Sequence, residues 1–250
     1  MRKGKSTRKG AGCGSRLSGR DSTQRLKTAK GRKNSSARWL QRQLNDPYVA
    51  EARRRGYASR AAFKLMDLDD RFGLLARGRR VVDLGAAPGG WSQVAAERVG
   101  VGKAGGGRVA AVDVTPMEPP PGVAVVHGDI RDAPIQDAVD DALGGPADVV
   151  LSDMAAPATG HAATDHLRIV ALAETALEFA VEMLTPGGAF VCKVLQGGTE
   201  ATLLAQVKQR FADVRHAKPP SSRAESAEVY LVARGFRPTR QRDEKAQRAA

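Results

Sequence analysis

The sequence predicts an α/β fold: a seven-stranded, mostly parallel sheet covered by helices, with an antiparallel last strand. Three observations predict it. From residue 46 onward, short β-branched runs alternate with segments of helical periodicity, the pattern of parallel strands joined by helical crossovers. The last two strand-like runs are joined by a stretch with no helical pattern, too short for a crossover but suited to an antiparallel pair. The chain of 250 residues is 42% hydrophobic and 27% charged, enough for a sizeable core. It contains no apolar run approaching the roughly 18 residues of a membrane span.

Each element follows in order. Residues 58–73 place Ala62, Leu65, Met66 and Leu68 at helical spacing, with Ser59 as a cap. VVDLG (81–85) is a short buried strand ending in glycine, and a helix opens at Gly90 or Trp91 and runs through SQVAAERV. A Gly-rich loop (100–107) leads to a second strand, RVAAVDV (108–114). Pro116, Pro119, Pro120 and Pro121 make a loop before the third strand, VAVVHGD (123–129). A weak helical pattern over 134–143 precedes the fourth strand, ADVVLSD (147–153). Leu167, Val170, Ala173, Leu177 and Ala180 mark a long helix over 165–184, and Pro186-Gly187-Gly188 turns into AFVCKVL (189–195). A helix over 199–211, a strand near 213–216, a Ser/Arg-rich loop (218–226) and EVYLVA (228–233) complete the series. A doubly wound sheet ending this way is the Rossmann-like architecture of S-adenosylmethionine-dependent methyltransferases.

The charge divides the chain. Of the net +13, all lies in residues 1–45, which hold 14 Lys/Arg and one acid, Asp21; the remainder is neutral. This Gly- and Ser-rich segment lacks the apolar surface to fold alone and is expected to be a disordered basic arm. The organisation is then an arm over 1–45, a domain over 46–235 and a basic tail over 236–250. A polyanion such as RNA is the natural partner of the arm, because each neutralised phosphate releases counterions. Cys13 and Cys192 have no metal-type spacing, and His127, His161, His166 and His216 are scattered, so no metal is expected. The basic start has no apolar stretch behind it, so a cytoplasmic protein is expected rather than a secreted one.

VVDLGAAPGGWSQ (81–93) carries the cofactor chemistry. Gly85, Gly89 and Gly90 let the backbone pass close to a ligand, but Ala87-Pro88 break the dinucleotide pattern, and Pro88 removes an N–H that a pyrophosphate would use. A nucleoside without a phosphate fits better. Asp113 at the end of the second strand suits ribose hydroxyls, and Asp129 at the end of the third suits an adenine amino group. Asp153 follows the fourth strand, Lys193 lies at the end of the fifth and Glu228 begins the antiparallel last strand. All three converge on the carboxyl edge, where open α/β sheets bind ligands. Methyl transfer from a sulfonium to a hydroxyl needs a base against that hydroxyl. Lys193, inside an otherwise apolar strand, is the candidate, with Asp153 and Glu228 to orient it.

SRAAFKL (59–65), DLGAAPGGWSQ (83–93), HGDIRD (127–132), SDMA (152–155), KVLQG (193–197) and SSRAESAEVYLVARG (221–235) resemble the FtsJ/RrmJ family of ribosomal RNA large-subunit (uridine-2′-O)-methyltransferases. The resemblance spans about residues 46–235 and implies S-adenosyl-L-methionine as cofactor, with Lys64, Asp153, Lys193 and Glu228 as a catalytic set. It also implies cofactor binding at Gly89, Trp91, Asp113, Asp129 and Asp153, beside the loop glycines Gly85 and Gly90. Arg53, Arg54, Arg55 and Arg60, near Lys64, are the candidates for holding RNA. The expected substrate is large-subunit ribosomal RNA within an assembled subunit, and the expected state a monomer. Ala156-Pro157-Ala158-Thr159-Gly160 departs from the family, which commonly carries an Asn after SDMA.

Other readings stay open at this level: methylation of tRNA ribose, or a non-catalytic RNA-binding assembly factor. The intact four-residue set argues against the second. A cysteine nucleophile is not expected, because strand alternation turns Cys192 away from the side that Lys193 faces.

Overall fold

The computed structural model describes residues 40–41, 43–196 and 201–238, so most of the basic arm and most of the C-terminal tail lie outside the described residues, while residues 40, 41, 43 and 44, at the end of the segment expected to be disordered, are helical. Helical segments precede the sheet. α1 (Pro47–Arg55) starts where Asp46 accepts the Tyr48 amide at 3.1 Å and Pro47 supplies a fixed φ in the first turn. α2 (Ala62–Phe72) buries Ala62, Leu65 and Leu68, the apolar stripe visible in the sequence. Ser59 is not its cap: Ala61 occupies that position, and the Ser59 carbonyl accepts the Ala62 amide instead.

The rest alternates as expected: β1 (Arg80–Leu84), α3 (Gly90–Val99), β2 (Arg108–Asp113), β3 (Ala124–His127), α4 (Ala133–Leu143), β4 (Ala147–Ser152), α5 (Ala162–Met183), β5 (Leu184–Leu195), α6 (Ala201–Arg210), β6 (Phe211–Ala217) and β7 (Glu228–Phe236). The strands form a single seven-stranded sheet in the order β3-β2-β1-β4-β5-β7-β6. β1 pairs in parallel with β2 and β4, and β4 with β5, while β7 runs antiparallel between β5 and β6. Chain order reverses between β1 and β4, which opens a crevice at their carboxyl ends.

Strand β5 begins earlier than the Pro-Gly-Gly signal suggests. Leu184 already pairs with Ala147, the register then slips, and pairing resumes at Val149 with Ala189. The turn residues are therefore an irregularity within the strand rather than its boundary. β7 likewise extends past Ala233, because β6 pairs with it as far as Phe211 opposite Phe236.

Alternation along the strands splits the core into two layers. Val82, Leu84, Ala110, Val150, Phe190, Cys192 and Leu231 pack on one face with α4, α5 and α6. Val81, Ala111, Val149, Val191, Tyr230 and Val232 pack on the other with α2 and α3. Burying one large apolar side chain contributes about 1.5–3 kcal/mol, so both layers are strongly held. Lys193 shares the second face with Val191, and Cys192 is fully buried on the first.

Candidate active site

The sheet register brings the chemistry together. Ser152 pairs with Cys192, so Asp153 lies one step past β4 beside Lys193, and Lys193 pairs with Tyr230 across the antiparallel β5–β7 ladder. Glu228, two residues before Tyr230, shares its side of the strand. Helix α2 packs on that same face and presents Lys64.

Two ion pairs result. Lys193 Nζ lies 2.9 Å from Asp153 Oδ1 and donates to the Asp153 carbonyl at 2.8 Å. Lys64 Nζ donates to Glu228 Oε2 at 2.9 Å. Tyr230 joins the pairs: its hydroxyl donates to Asp153 Oδ1 at 2.7 Å, and Lys64 Nζ sits 5.7 Å from its ring centroid. Tyr230 is fully buried and its ring lies 5.4 Å from that of Trp91, whose indole N–H donates to the Ala61 carbonyl at 2.8 Å.

Burial alone would raise the Asp153 carboxyl, but the charges of Lys193 and Lys64 and the Tyr230 hydroxyl outweigh it and hold the group below the usual carboxylate range. Glu228 behaves alike: burial works against ionisation, and the charges of Lys64 and Lys193 overcome it. Burial, reinforced by the Asp153 charge, holds the Tyr230 phenol well above its ordinary value, so it stays a hydrogen-bond donor at neutral pH. The arrangement keeps two carboxylates ionised against two amines, the Lys193–Asp153 pair more deeply buried than the Lys64–Glu228 pair.

Beside it lies the glycine loop. Gly85 has φ +72°, and a Cβ there would come 2.6 Å from Met154 Cγ, so only glycine lets the β1 and β4 ends approach this closely. A Cβ on Gly89 would fill the slot toward Pro120 and Met117 of the proline loop, at 3.3 and 3.9 Å. Asp113 organises the loop: Oδ2 accepts the Ala87 amide at 2.8 Å and Oδ1 the Thr115 amide at 2.7 Å. Asp129 lies two residues beyond β3, its carboxylate held by Arg131 at 2.5–3.1 Å, which also lowers its pKa. Trp91 is 3% exposed, its ring packed on Tyr230 and its indole N–H held by the Ala61 carbonyl. Gly90 lies against Ser59, whose Oγ a Cβ would approach to 2.5 Å. The loop glycines, the slot beneath the proline loop, the carboxylate that ends β2 and the one that follows β3 fit a nucleoside-bearing methyl donor.

The four arginines do not form one patch. Arg53 is exposed on α1, and Arg54 and Arg55 both hold Glu51, at 2.6 Å. Arg60 turns inward, drawn by the Asp46 carboxylate and the Ser221 carbonyl. Sequence reasoning missed Tyr230, although its parity with Glu228 on an alternating strand was a usable signal. It also missed Asp83, fully buried and accepting the Ser92 hydroxyl at 2.6 Å. Burial pushes the Asp83 carboxyl up to about 7. Among the described residues, no group of three His, Cys, Asp or Glu side chains is placed to hold a metal ion, and no helix is long and apolar enough to cross a membrane.

Comparison with known proteins points the same way. The family model described as FtsJ-like methyltransferase matches residues 57–236. The protein named Ribosomal RNA large subunit methyltransferase E in Paramagnetospirillum magneticum is 61% identical over 234 residues, covering 93% of this chain and 96% of that protein. Its namesake in Granulibacter bethesdensis is 59% identical over 213 residues, covering 85% and 90%. A crystal structure from Plasmodium falciparum, titled as a ribosomal RNA methyltransferase, superposes with a TM-score of 0.66 at 29% identity, covering 73% of this chain and all of that one.

Proposed function

The chain belongs to the FtsJ-like methyltransferase family, and from that premise we propose that it transfers a methyl group from S-adenosyl-L-methionine to the ribose 2′-hydroxyl of a uridine in the 23S RNA of the large ribosomal subunit. The observation that carries the reading is the pairing of Lys193 with Asp153 and of Lys64 with Glu228, bridged by Tyr230, at the crevice where strand order reverses. The relatives' names support the choice of substrate. We take the working form to be a cytoplasmic monomer acting on an assembled large subunit.

When bound, S-adenosyl-L-methionine supplies an electrophilic methyl carbon on a sulfonium. The 2′-oxygen forms a bond to that carbon as the carbon–sulfur bond breaks and its electron pair goes to sulfur. Lys193 Nζ, in its uncharged form, takes the hydroxyl proton, and the Asp153 carboxylate and carbonyl hold that nitrogen in place. Tyr230 keeps Asp153 Oδ1 from turning away, and Lys64, fixed by Glu228, lies beside the reacting oxygen as a cation. Gly85, Gly89, Gly90 and the Trp91 backbone form the cradle, with Asp113 and Asp129 at the ribose and adenine ends. Arg53, Arg54 and Arg55 hold the RNA backbone from α1, while Arg60 is committed to the Asp46 carboxylate and the Ser221 carbonyl.

Radiolabelled methyl transfer to undermethylated large subunits tests this. Wild-type protein labels the large-subunit RNA at a ribose, and Lys193→Ala reduces turnover about 10²–10⁴-fold. Near-wild-type turnover by that variant would remove Lys193 from the chemistry.

A further inference from the structure

A buried ionic cluster lies behind the Lys64–Glu228 pair. The Asp46 carboxylate receives two guanidiniums, Arg60 and Arg223, the second at 2.9–3.0 Å from Nη2 and Nε. Arg60 also donates to the Ser221 carbonyl, and the Ser221 amide donates to Asp67 Oδ2 at 2.9 Å. These contacts fasten the loop before β7 to helices α1 and α2.

The cluster is a poor device for stability. The side chains of Asp46, Arg60 and Arg223 are 6, 14 and 26% exposed, and desolvating charges to this degree offsets much of their attraction. Burial, the largest influence on Arg60, works against its charge. Seven buried side-chain polar atoms among the described residues have no hydrogen-bond partner. Three of them, Arg60 Nε, Ser221 Oγ and Ser222 Oγ, sit in or beside this cluster, and a fourth, Arg223 Nη2, lies 2.9 Å from Asp46 Oδ2 as an ion-pair contact without hydrogen-bond geometry. Apolar packing would hold the loop more cheaply, so the arrangement must serve placement instead.

What it places is evident from the chain on either side. Arg60 precedes Lys64 by one helical turn, with the Phe63 amide on the Arg60 carbonyl at 3.2 Å. On the other side, the Ser226 amide donates to the Arg223 carbonyl at 3.1 Å, and Ser226 Oγ accepts the Glu228 amide at 3.2 Å. Glu228 is the first residue of β7 and pairs with Leu195 at the end of the β5 ladder, so the sheet holds it from one direction only. Its carboxylate is about one-third exposed and lines a cleft of about 290 Å³ together with Lys64, Arg60, Arg223 and Ser226.

We propose that Asp46, Arg60 and Arg223 form a latch that sets the Lys64–Glu228 pair, Arg223 and Asp46 acting as positioning residues for methyl transfer. The inference rests on the reading of that pair given above. Opening the latch frees the loop, Glu228 drifts from Lys64, and both lose their aim at the cleft. Glu228 then returns toward an ordinary carboxyl, because the charge that lowered it has moved away.

The test compares Arg223→Gln, Arg223→Lys and Asp67→Ala in the full chain, with undermethylated large subunits as substrate. Arg223→Gln is expected to lower kcat about tenfold, an effect of the size of one lost hydrogen bond to a charged group. The KM for S-adenosylmethionine should stay unchanged. Arg223→Lys should restore most of the rate. Asp67→Ala, which loosens the same loop without leaving a guanidinium unpaired, should reproduce the fall even if Arg223→Gln folds poorly. Unchanged kcat in folded variants, with only a lower melting temperature, would overturn the latch. Hydrogen exchange separates this from the function itself. Faster exchange at the Ser226 and Glu228 amides in the variants supports the latch even if the wild type methylates nothing. Unchanged exchange overturns it even if the wild type is fully active.

Discussion

Replacing either member of the Lys193–Asp153 pair should expose how much of this site is held by charge. The Lys193 side chain is 6% exposed and that of Asp153 16%, so each removal strands its partner in a poorly solvated place. Breaking a buried pair from one side costs about 3–5 kcal/mol. Partial compensation remains in each variant. After Lys193→Met, Asp153 keeps the Tyr230 hydroxyl and the Lys64 charge; after Asp153→Asn, Lys193 keeps the backbone carbonyl. Both singles should therefore fall near the lower end, about 3 kcal/mol, which in a chain of this size lowers the melting temperature by about 6–12 °C. In the double variant no charge is stranded, so its cost should be smaller than the sum by about 2–3 kcal/mol. Urea unfolding without cofactor, on all four proteins, measures that coupling. Methyl transfer on the same proteins should show the double variant no worse than Lys193→Met, because residues acting as a unit are not additive. Stability costs that add to within about 0.5 kcal/mol would refute the argument that this is a desolvated pair.

Three further outcomes follow from the structure and the charge. Asp83 keeps its proton in the folded protein up to about pH 7, whereas the unfolded chain loses it near pH 4. Its contribution is fully present below the unfolded value and is lost as pH rises through 7, a change of the order of 4 kcal/mol. Asp83→Asn mimics the protonated form, so its melting temperature relative to wild type should climb between pH 5 and 8; a constant difference would contradict the assignment. Gly85→Ala combines a left-handed backbone with a Cβ 2.6 Å from Met154 and should weaken S-adenosylmethionine binding at least tenfold by calorimetry, reflecting roughly 1–2 kcal/mol of backbone strain plus displacement of the loop after β4. Removing residues 1–40, which hold 13 of the 14 basic residues before Asp46, should weaken RNA binding and flatten its salt dependence while leaving cofactor affinity alone. An unchanged salt slope would show that the arm does not touch RNA.

Much of this could be read in the chain. Alternating apolar runs announced seven strands, and the short link before the last one announced its antiparallel course. Strand alternation also put Cys192 and Lys193 on opposite faces, as found. Where local signals failed, a neighbour across the sheet or the helix layer decided. Ser59 reads as a helix cap but packs at Gly90, and Pro186-Gly187-Gly188 reads as a boundary although Leu184 already pairs with Ala147.

By itself, the sequence determined the kinds of element, their order, and the sheet edge at which Asp113, Asp153, Lys193 and Glu228 arrive, because backbone periodicity and parallel connection are local properties. Only the tertiary structure decided the partners. Lys64 meets Glu228 across 164 residues and Arg223 meets Asp46 across 177. Tyr230 reaches Asp153 through a register that no turn between them encodes. Contacts of this kind depend on strand register and on how a helix seats against a sheet, and both are set by the packing of the whole core rather than by any residue's neighbours in the chain.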